Sequence, residues 1–119
     1  MKDFKQLKVW EKSHSLSLET YKATKTFPKE ELYGLTSQIR RAVVSIKANI
    51  AEGCGRTGDP ELGRFLRISI GSASELECHL LLARDLGFLA RVDHDRLVRA
   101  VSHVKRMLTS FTKKLTAER

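Results

Sequence analysis

Cysteine is nearly absent from this chain. Cys54 and Cys78 are the only two, too few for a disulfide framework, and no secretory apolar segment precedes them. Proline is equally sparse, at Pro28 and Pro60 alone, which leaves long stretches free to run as uninterrupted helix. No apolar run approaches the roughly 20 residues that a membrane span requires. No segment of useful length alternates as a strand, and no internal repeat is apparent. Acidic residues are the minority charge: 14 Asp and Glu stand against 22 Lys and Arg, a net +8. These shortages exclude a disulfide-stapled secreted domain and a membrane-spanning protein. They predict one cytoplasmic domain over 1–119 with reduced thiols and make acidic partners such as nucleic acid plausible.

What the chain has is helical periodicity, in four segments punctuated at Pro28, at Gly53 to Pro60, and at Gly87. The first runs from about Leu7 to Thr26 and ends before Pro28, because a proline pushes the preceding residue out of the helical region. Lys29-Glu30-Glu31 reads as a short turn, with Gly34 bending the chain into a second helix that ends at Glu52 with Gly53 as its C′ residue. The third is expected to open with Asp59 as N-cap and Pro60 at N1 and to run to Leu86. Its small stretch Gly71-Ser72-Ala73-Ser74 suggests close backbone approach, and its apolar and small residues exceed what one bundle can cover. The fourth, capped by Asp93, carries Leu97, Val101, Val104, Leu108, Phe111 and Leu115 at alternating spacings of four and three. Arg99, Arg106 and Lys113 lie opposite that seam. Four such helices with short connections predict an all-α, antiparallel up-down-up-down four-helix bundle.

The second helix carries a further pattern. Arg41, Ser45, Asn49 and Glu52 fall in one row beside the apolar row of Ile39, Ala42, Ile46 and Ile50. Such a row reads as a polar seam packed against another helix or subunit, facing Ser72, Glu75 and Glu77 of the third helix.

The runs Phe4-x-x-Leu7-x-Val9-Trp10, Phe27-Pro28-x-x-Glu31-x-Tyr33-Gly34-Leu35, and Gln38-Ile39-Arg40-Arg41-Ala42-x-x-Ser45-Ile46-x-x-Asn49-Ile50-Ala51-Glu52-Gly53, with Phe65-Leu66-x-Ile68-x-x-Gly71-Ser72-x-x-Glu75-Leu76-Glu77 and Leu86-Gly87, resemble the bacterial S23, or large-subunit rRNA intervening-sequence, four-helix-bundle proteins. The resemblance covers most of the chain and fades beyond about Arg91. It implies a ring-like homo-oligomer. A related branch, the accessory variability protein of diversity-generating retroelements, forms a basic pentameric barrel that binds nucleic acid and a reverse transcriptase. By that resemblance the chain is expected to be a homopentamer with RNA or DNA as a partner.

Net charge is +3 over residues 1–27, +2 over 28–56, −1 over 57–91 and +4 over 92–119. If the first and last helices are neighbours, Lys5, Lys8, Lys12 and Lys22 merge with Arg99, Arg106 and Lys113 into a face that attracts phosphates without reading bases. The bland alternative is a solvated surface. Arg40, Arg41, Lys47, Arg99, Arg106 and Lys113 are the candidate nucleic-acid-binding residues. No aromatics interleave with the basic residues, which argues against stacking of single-stranded bases. A second reading is a scaffold that docks an acidic partner or a nucleic-acid-processing protein without binding RNA itself.

Enzymatic signals are weak. Gly53-Cys54-Gly55-Arg56-Thr57-Gly58 matches G-x-G-x-x-G but follows a helix instead of a strand; it reads as an interhelix turn that offers at most amides and Arg56 to a phosphate. Glu52 and Glu75 invite an acid–base or metal reading, but Glu75 and His79 are four apart and have no second copy; ion pairs with Arg40 or Arg41 are the simpler expectation. His14 is assigned to packing, and Cys78 to an inert buried position. No catalytic residue, metal or cofactor is expected.

Overall fold

Each of the four apolar periodicities folds as a helix in the computed structural model, which describes residues 2–117. They are α1 (Lys8–Thr24), α2 (Leu35–Cys54), α3 (Asp59–Asp85) and α4 (Arg91–Ala117), with short 3-10 turns at Phe4–Gln6 and Lys29–Glu31 and no strand among the described residues. Among the four helices, backbones approach closely only between neighbours in the order α1–α2–α3–α4–α1, and not across the diagonals. Contacts run antiparallel around the square. Ser17 reaches Val43 while Thr24 reaches Arg40, Ser69 reaches Ile46, Lys105 reaches Glu77, and Arg96 reaches Glu19. The result is an elongated bundle, 47 × 22 × 20 Å.

The core is the set of apolar rows turned inward. Ile39, Val43, Ile46 and Ile50 of α2, Leu66, Ala73 and Leu76 of α3, and Val101 and Leu108 of α4 are all completely shielded. Truncating any of these leucines to alanine removes about 2–5 kcal/mol through lost transfer energy and the cavity left behind. α1 contributes differently. Its buried stripe contains Ser13, Ser17, Thr20 and Thr24, each hydroxyl donating to the carbonyl four residues back at 2.7–3.1 Å. The hydroxyls are thereby satisfied within their own helix.

Helix boundaries differ from expectation where tertiary contacts intervene. α2 does not stop before Gly53 but continues to Cys54, with Gly55 as C-cap. Gly53 is buried, and a methyl placed there would lie 2.9 Å from Cβ of Phe65 and 3.0 Å from Leu62. The glycine that permits close helix approach is therefore Gly53. Gly71, expected in that role, points outward with nothing within 4 Å of a built Cβ. α3 is capped by Gly58, at φ 87°, while Asp59 begins the helix itself; with Glu61 it places acid in the first turn, where the helix dipole favours it. α4 begins at Arg91, so Asp93 lies inside its first turn and is not its cap. α1 ends at Thr24, and the last three residues before Pro28 turn Phe27 into the core against Phe88. Glu31 accepts a hydrogen bond from the amide of Leu35 at 3.0 Å, a cap for α2 supplied from the preceding 3-10 turn.

Candidate nucleic-acid interface

From Arg96 to Ala117 the sequence contains six Lys or Arg and no Asp or Glu. On a helix this acid-free run divides by periodicity. Leu97, Val101, Val104, Leu108 and Leu115 are buried, while Arg99, Arg106 and Lys113 stand exposed on the far side, one turn-pair apart. None of the three meets a carboxylate among the described residues. The Arg and Lys ion pairs of α4 are made instead by Arg96, with Glu19 and Asp93 at 3.3 Å, and by Lys105, with Glu77 at 3.3 Å.

α1 extends this ridge. Lys8, Lys12 and Glu19 share one side of α1 by their spacing, and Glu19 fixes that side as the one facing α4 through its pair with Arg96. Lys22 likewise lines a shallow depression with Asp93 and Arg96. Between the amino-terminal half of α1 and the carboxy-terminal half of α4 runs a groove of about 600 Å³, lined by Lys8, His103, Arg106 and Lys114 together with Leu7, Met107 and Phe111. The first and last helices are thus neighbours: Lys8, Arg106 and Lys114 line the groove between them, Lys12 and Arg99 are exposed, and Lys113 lies on the other flank of α4, lining a depression with Ile70 of α3. Positive charge exceeds negative on this side, where Glu19 and Asp93 are both paired with Arg96; an excess of one sign open to solvent attracts polyanions at long range, and its effect falls off with salt.

The six candidate residues do not converge. α2 is diagonal to α4, so Arg40, Arg41 and Lys47 lie away from Arg99, Arg106 and Lys113. Arg40 turns toward α1, donating to Thr24 Oγ1 at 2.9 Å and lying 4.6 Å above the Tyr21 ring. Lys47 is half-buried, its Nζ 2.9 Å from His14 Nδ1, and His14 stacks on Trp10 at 5.0 Å. Packing is therefore the role of His14, as its row position suggests, but with the lysine as its partner. Arg41 is exposed and shares with Arg40 a cleft of about 700 Å³ that also includes Tyr21, Tyr33 and Glu75. Tyr33 is 92% exposed there, and Thr36, on the same cleft, carries a buried hydroxyl with no hydrogen-bond partner.

Aromatics do meet basic residues once the chain is folded, contrary to the linear reading. Phe111 sits among Lys8, Arg106 and Lys114, and Trp10 lies under Lys47 at 5.8 Å. Part of the interleaving is between helices, as with Lys8 and Phe111 or Lys47 and Trp10, and part is local: Arg106 and Lys114 flank Phe111 on α4 itself, and Lys5 and Arg64 lie over the adjacent Phe4 and Phe65.

The polar seam forms only in its middle. Ser45 Oγ and Ser72 Oγ lie 2.8 Å apart across α2 and α3, and Asn49 Nδ2 donates to the carbonyl and hydroxyl of Ser45 at 2.8 and 3.0 Å. The ends diverge: Arg41, Glu52 and Glu75 are all exposed. Neither carboxylate pairs with Arg40 or Arg41. Glu52 binds Arg56 at 2.8 Å and Glu75 binds His79 at 3.2 Å, each a partner one helical turn away that needs no tertiary contact. Arg56 is thereby occupied, and it also covers the Phe65 ring at 5.2 Å, so the glycine-rich loop offers no free cation from that side chain. Among the described residues no three of His, Cys, Asp and Glu gather as a metal-binding group. Glu61 is held below the usual carboxylate range by its hydrogen bond from Arg64. Burial pushes the Cys54 thiol up, partly offset by the nearby Lys2 charge. Cys78, expected to be buried, is exposed. No helix among the described residues is long and apolar enough to cross a membrane.

Comparison with known proteins agrees with this architecture. The family model described as 23S rRNA-intervening sequence protein matches residues 5–110. Among solved structures, a 1.70 Å crystal structure of a protein of unknown function from the S23 ribosomal protein family of Bacteroides thetaiotaomicron superimposes with a TM-score of 0.79 at 23% identity, covering 88% of this chain and 98% of that one. At that identity the likeness speaks for the fold. Comparison with curated proteins returned no match.

Proposed function

Because the chain belongs to the 23S rRNA-intervening sequence protein family, we propose that it is a non-catalytic accessory protein that binds the phosphates of RNA or DNA through its α1–α4 face. The observation that carries this reading is the acid-free run of α4, whose Arg99, Arg106 and Lys113 project outward without a carboxylate partner among the described residues. Unpaired cations of one sign on a helix ridge release counterions when they meet phosphates, which gives sequence-independent, salt-sensitive affinity.

A closed homo-oligomer, a pentamer by family resemblance, strengthens the same reading, because repetition of a weak face around a ring multiplies its avidity. Support for self-association comes from the opposite side of the bundle. There Val44 and Ala48 of α2 and Ile68, Gly71 and Ser74 of α3 are half-buried or exposed, and α3 carries no charge from Ile68 to Ser74. Leu82 and Leu86 continue the outer row of α3 at 48% and 52% exposure. Apolar and small surface of this kind marks a protein-protein contact. The test pairs two measurements. Retention of a short RNA at low salt, lost on raising the salt, is expected together with a solution mass several times the 13.5 kDa of the chain. Absence of retention at low salt overturns the nucleic-acid reading, and a single 13.5 kDa species overturns the ring.

A further inference from the structure

We propose that the groove between α1 and α4 holds an unpaired nucleobase, so that the nucleic acid recognised is single-stranded or looped and not duplex. The inference rests on the nucleic-acid reading above and adds the class of ligand to it.

The groove has the form this occupant needs. Its volume, about 600 Å³, lies within the range of small-ligand sites, roughly 300–1,000 Å³. Leu7, Met107 and Phe111 are half-buried and pack on the core from one side, leaving their outer surfaces to the groove. Lys8 stands on the α1 wall, with Arg106 and Lys114 on the α4 wall. No carboxylate lines it. An apolar floor between two cationic walls is unfavourable for water and for a lone phosphate, which has no use for the floor. It suits a ligand with flat apolar faces tied to a chain of negative charges. A nucleotide in a strand is such a ligand: the base lies against Phe111 and Met107 while the flanking phosphates meet Lys8 on one side and Arg106 or Lys114 on the other. A duplex keeps its bases stacked and paired inside, so it can engage the outer ridge but not the floor. Base–aromatic stacking tolerates any sequence because every base has a π-face.

The test compares fluorescent RNAs of about 16 nucleotides, an upper site size for one single-strand-binding module, as an unstructured strand and as a duplex of equal length at equal salt. Wild-type protein is expected to prefer the strand about tenfold or more. Phe111→Leu keeps an apolar side chain against the core while removing the aromatic face; it is expected to lower strand affinity about tenfold, leave duplex affinity and the salt dependence unchanged, and leave the assembly mass intact. A 4-thiouridine strand, irradiated with wild-type protein, is expected to crosslink within the segment Met107–Lys114, a readout independent of any variant's folding. Equal affinity for strand and duplex, with Phe111→Leu inert, overturns base occupancy while the phosphate-binding reading stands. Loss of retention for both RNAs at low salt overturns both. A fall in assembly mass in Phe111→Leu assigns the groove to a second copy of the chain and overturns the proposal. So does an acidic amphipathic Glu/Leu peptide that binds the groove and is not displaced by the strand.

Discussion

The two long sides of this bundle are built from the same helical periodicity but spend their outer positions differently. On the α1–α4 side Lys8, Lys12, Arg99, Arg106 and Lys114 are exposed, the acids Glu19 and Asp93 are paired with Arg96, and the groove between the helices is walled by cations. On the α2–α3 side the middle of the outer surface is Val44, Ala48, Ile68, Gly71 and Ser74, with buried Ser72 and half-buried Ser45 and Asn49 hydrogen-bonded between the helices. Long cationic side chains keep water and repel copies of themselves; small and apolar residues leave a flat surface whose burial is favourable. Under the proposed function the difference is a division of labour, with one side offered to polyanions and the other to contact with protein.

The largest effect is expected from reversing the charge of the α4 ridge. Arg99→Glu, Arg106→Glu and Lys113→Glu together should weaken RNA retention at low salt by about a hundredfold or more, and flatten the salt dependence by about one unit of slope per contact removed. Because these side chains are exposed, helicity and assembly mass should remain those of the wild type; filter retention and light scattering on the same sample separate the two.

Within the α2–α3 side, two glycines should behave oppositely. At Gly53→Ala the new methyl meets Cβ of Phe65 at 2.9 Å, a contact that only a shift of helix against helix relieves. A loss of about 1–3 kcal/mol in urea unfolding is expected. Gly71→Ala meets nothing within 4 Å. In an isolated subunit it should stabilise the helix by about 0.5–1 kcal/mol, and if copies pack on this face the same methyl should lower the assembly mass at dilution. Stabilisation with no change in mass would remove Gly71 from any subunit contact.

The smallest effect concerns the two thiols. Cys54 is buried with its pKa raised by that burial, whereas Cys78 is exposed. Thiolate is the reactive form, so a raised pKa and occlusion both slow modification. A thiol reagent near neutral pH should label Cys78 alone in the native protein, reach Cys54 only on unfolding or at more alkaline pH, and leave the urea midpoint unmoved.

Much of the fold was legible because helical periodicity is a local property. The spacing of Leu97, Val101, Val104, Leu108, Phe111 and Leu115 predicts the buried seam of α4, and the structure buries all but Phe111, which is half-buried against the core. The family motifs and the short connections point to the antiparallel order. Where reading failed, the missing quantity was the rotation of one helix against another. Gly71 and Gly53 are both helical glycines, and nothing local says that only Gly53 faces Phe65. Cys78 is different: it lies two residues, about 200° of helix, from both buried Leu76 and Leu80, so the helical repeat alone already places it on the outer face. Glu52 and Glu75 are expected to pair with Arg40 or Arg41, but each finds a partner four residues along the chain, at no loss of tertiary freedom.

The candidate site divides in the same way. That α4 is basic on its outer ridge follows from sequence and the helical repeat alone, as does the presence of four amphipathic segments. That α2 stands diagonal to α4, separating Arg40, Arg41 and Lys47 from Arg99, Arg106 and Lys113, is decided only by packing. So is the groove that brings Lys8, from near the start of the chain, beside Arg106, Phe111 and Lys114 near its end. A repeat of 3.6 residues fixes which side chains share a face of one helix, but neighbours between helices depend on how whole buried faces interlock, and no single segment carries that information.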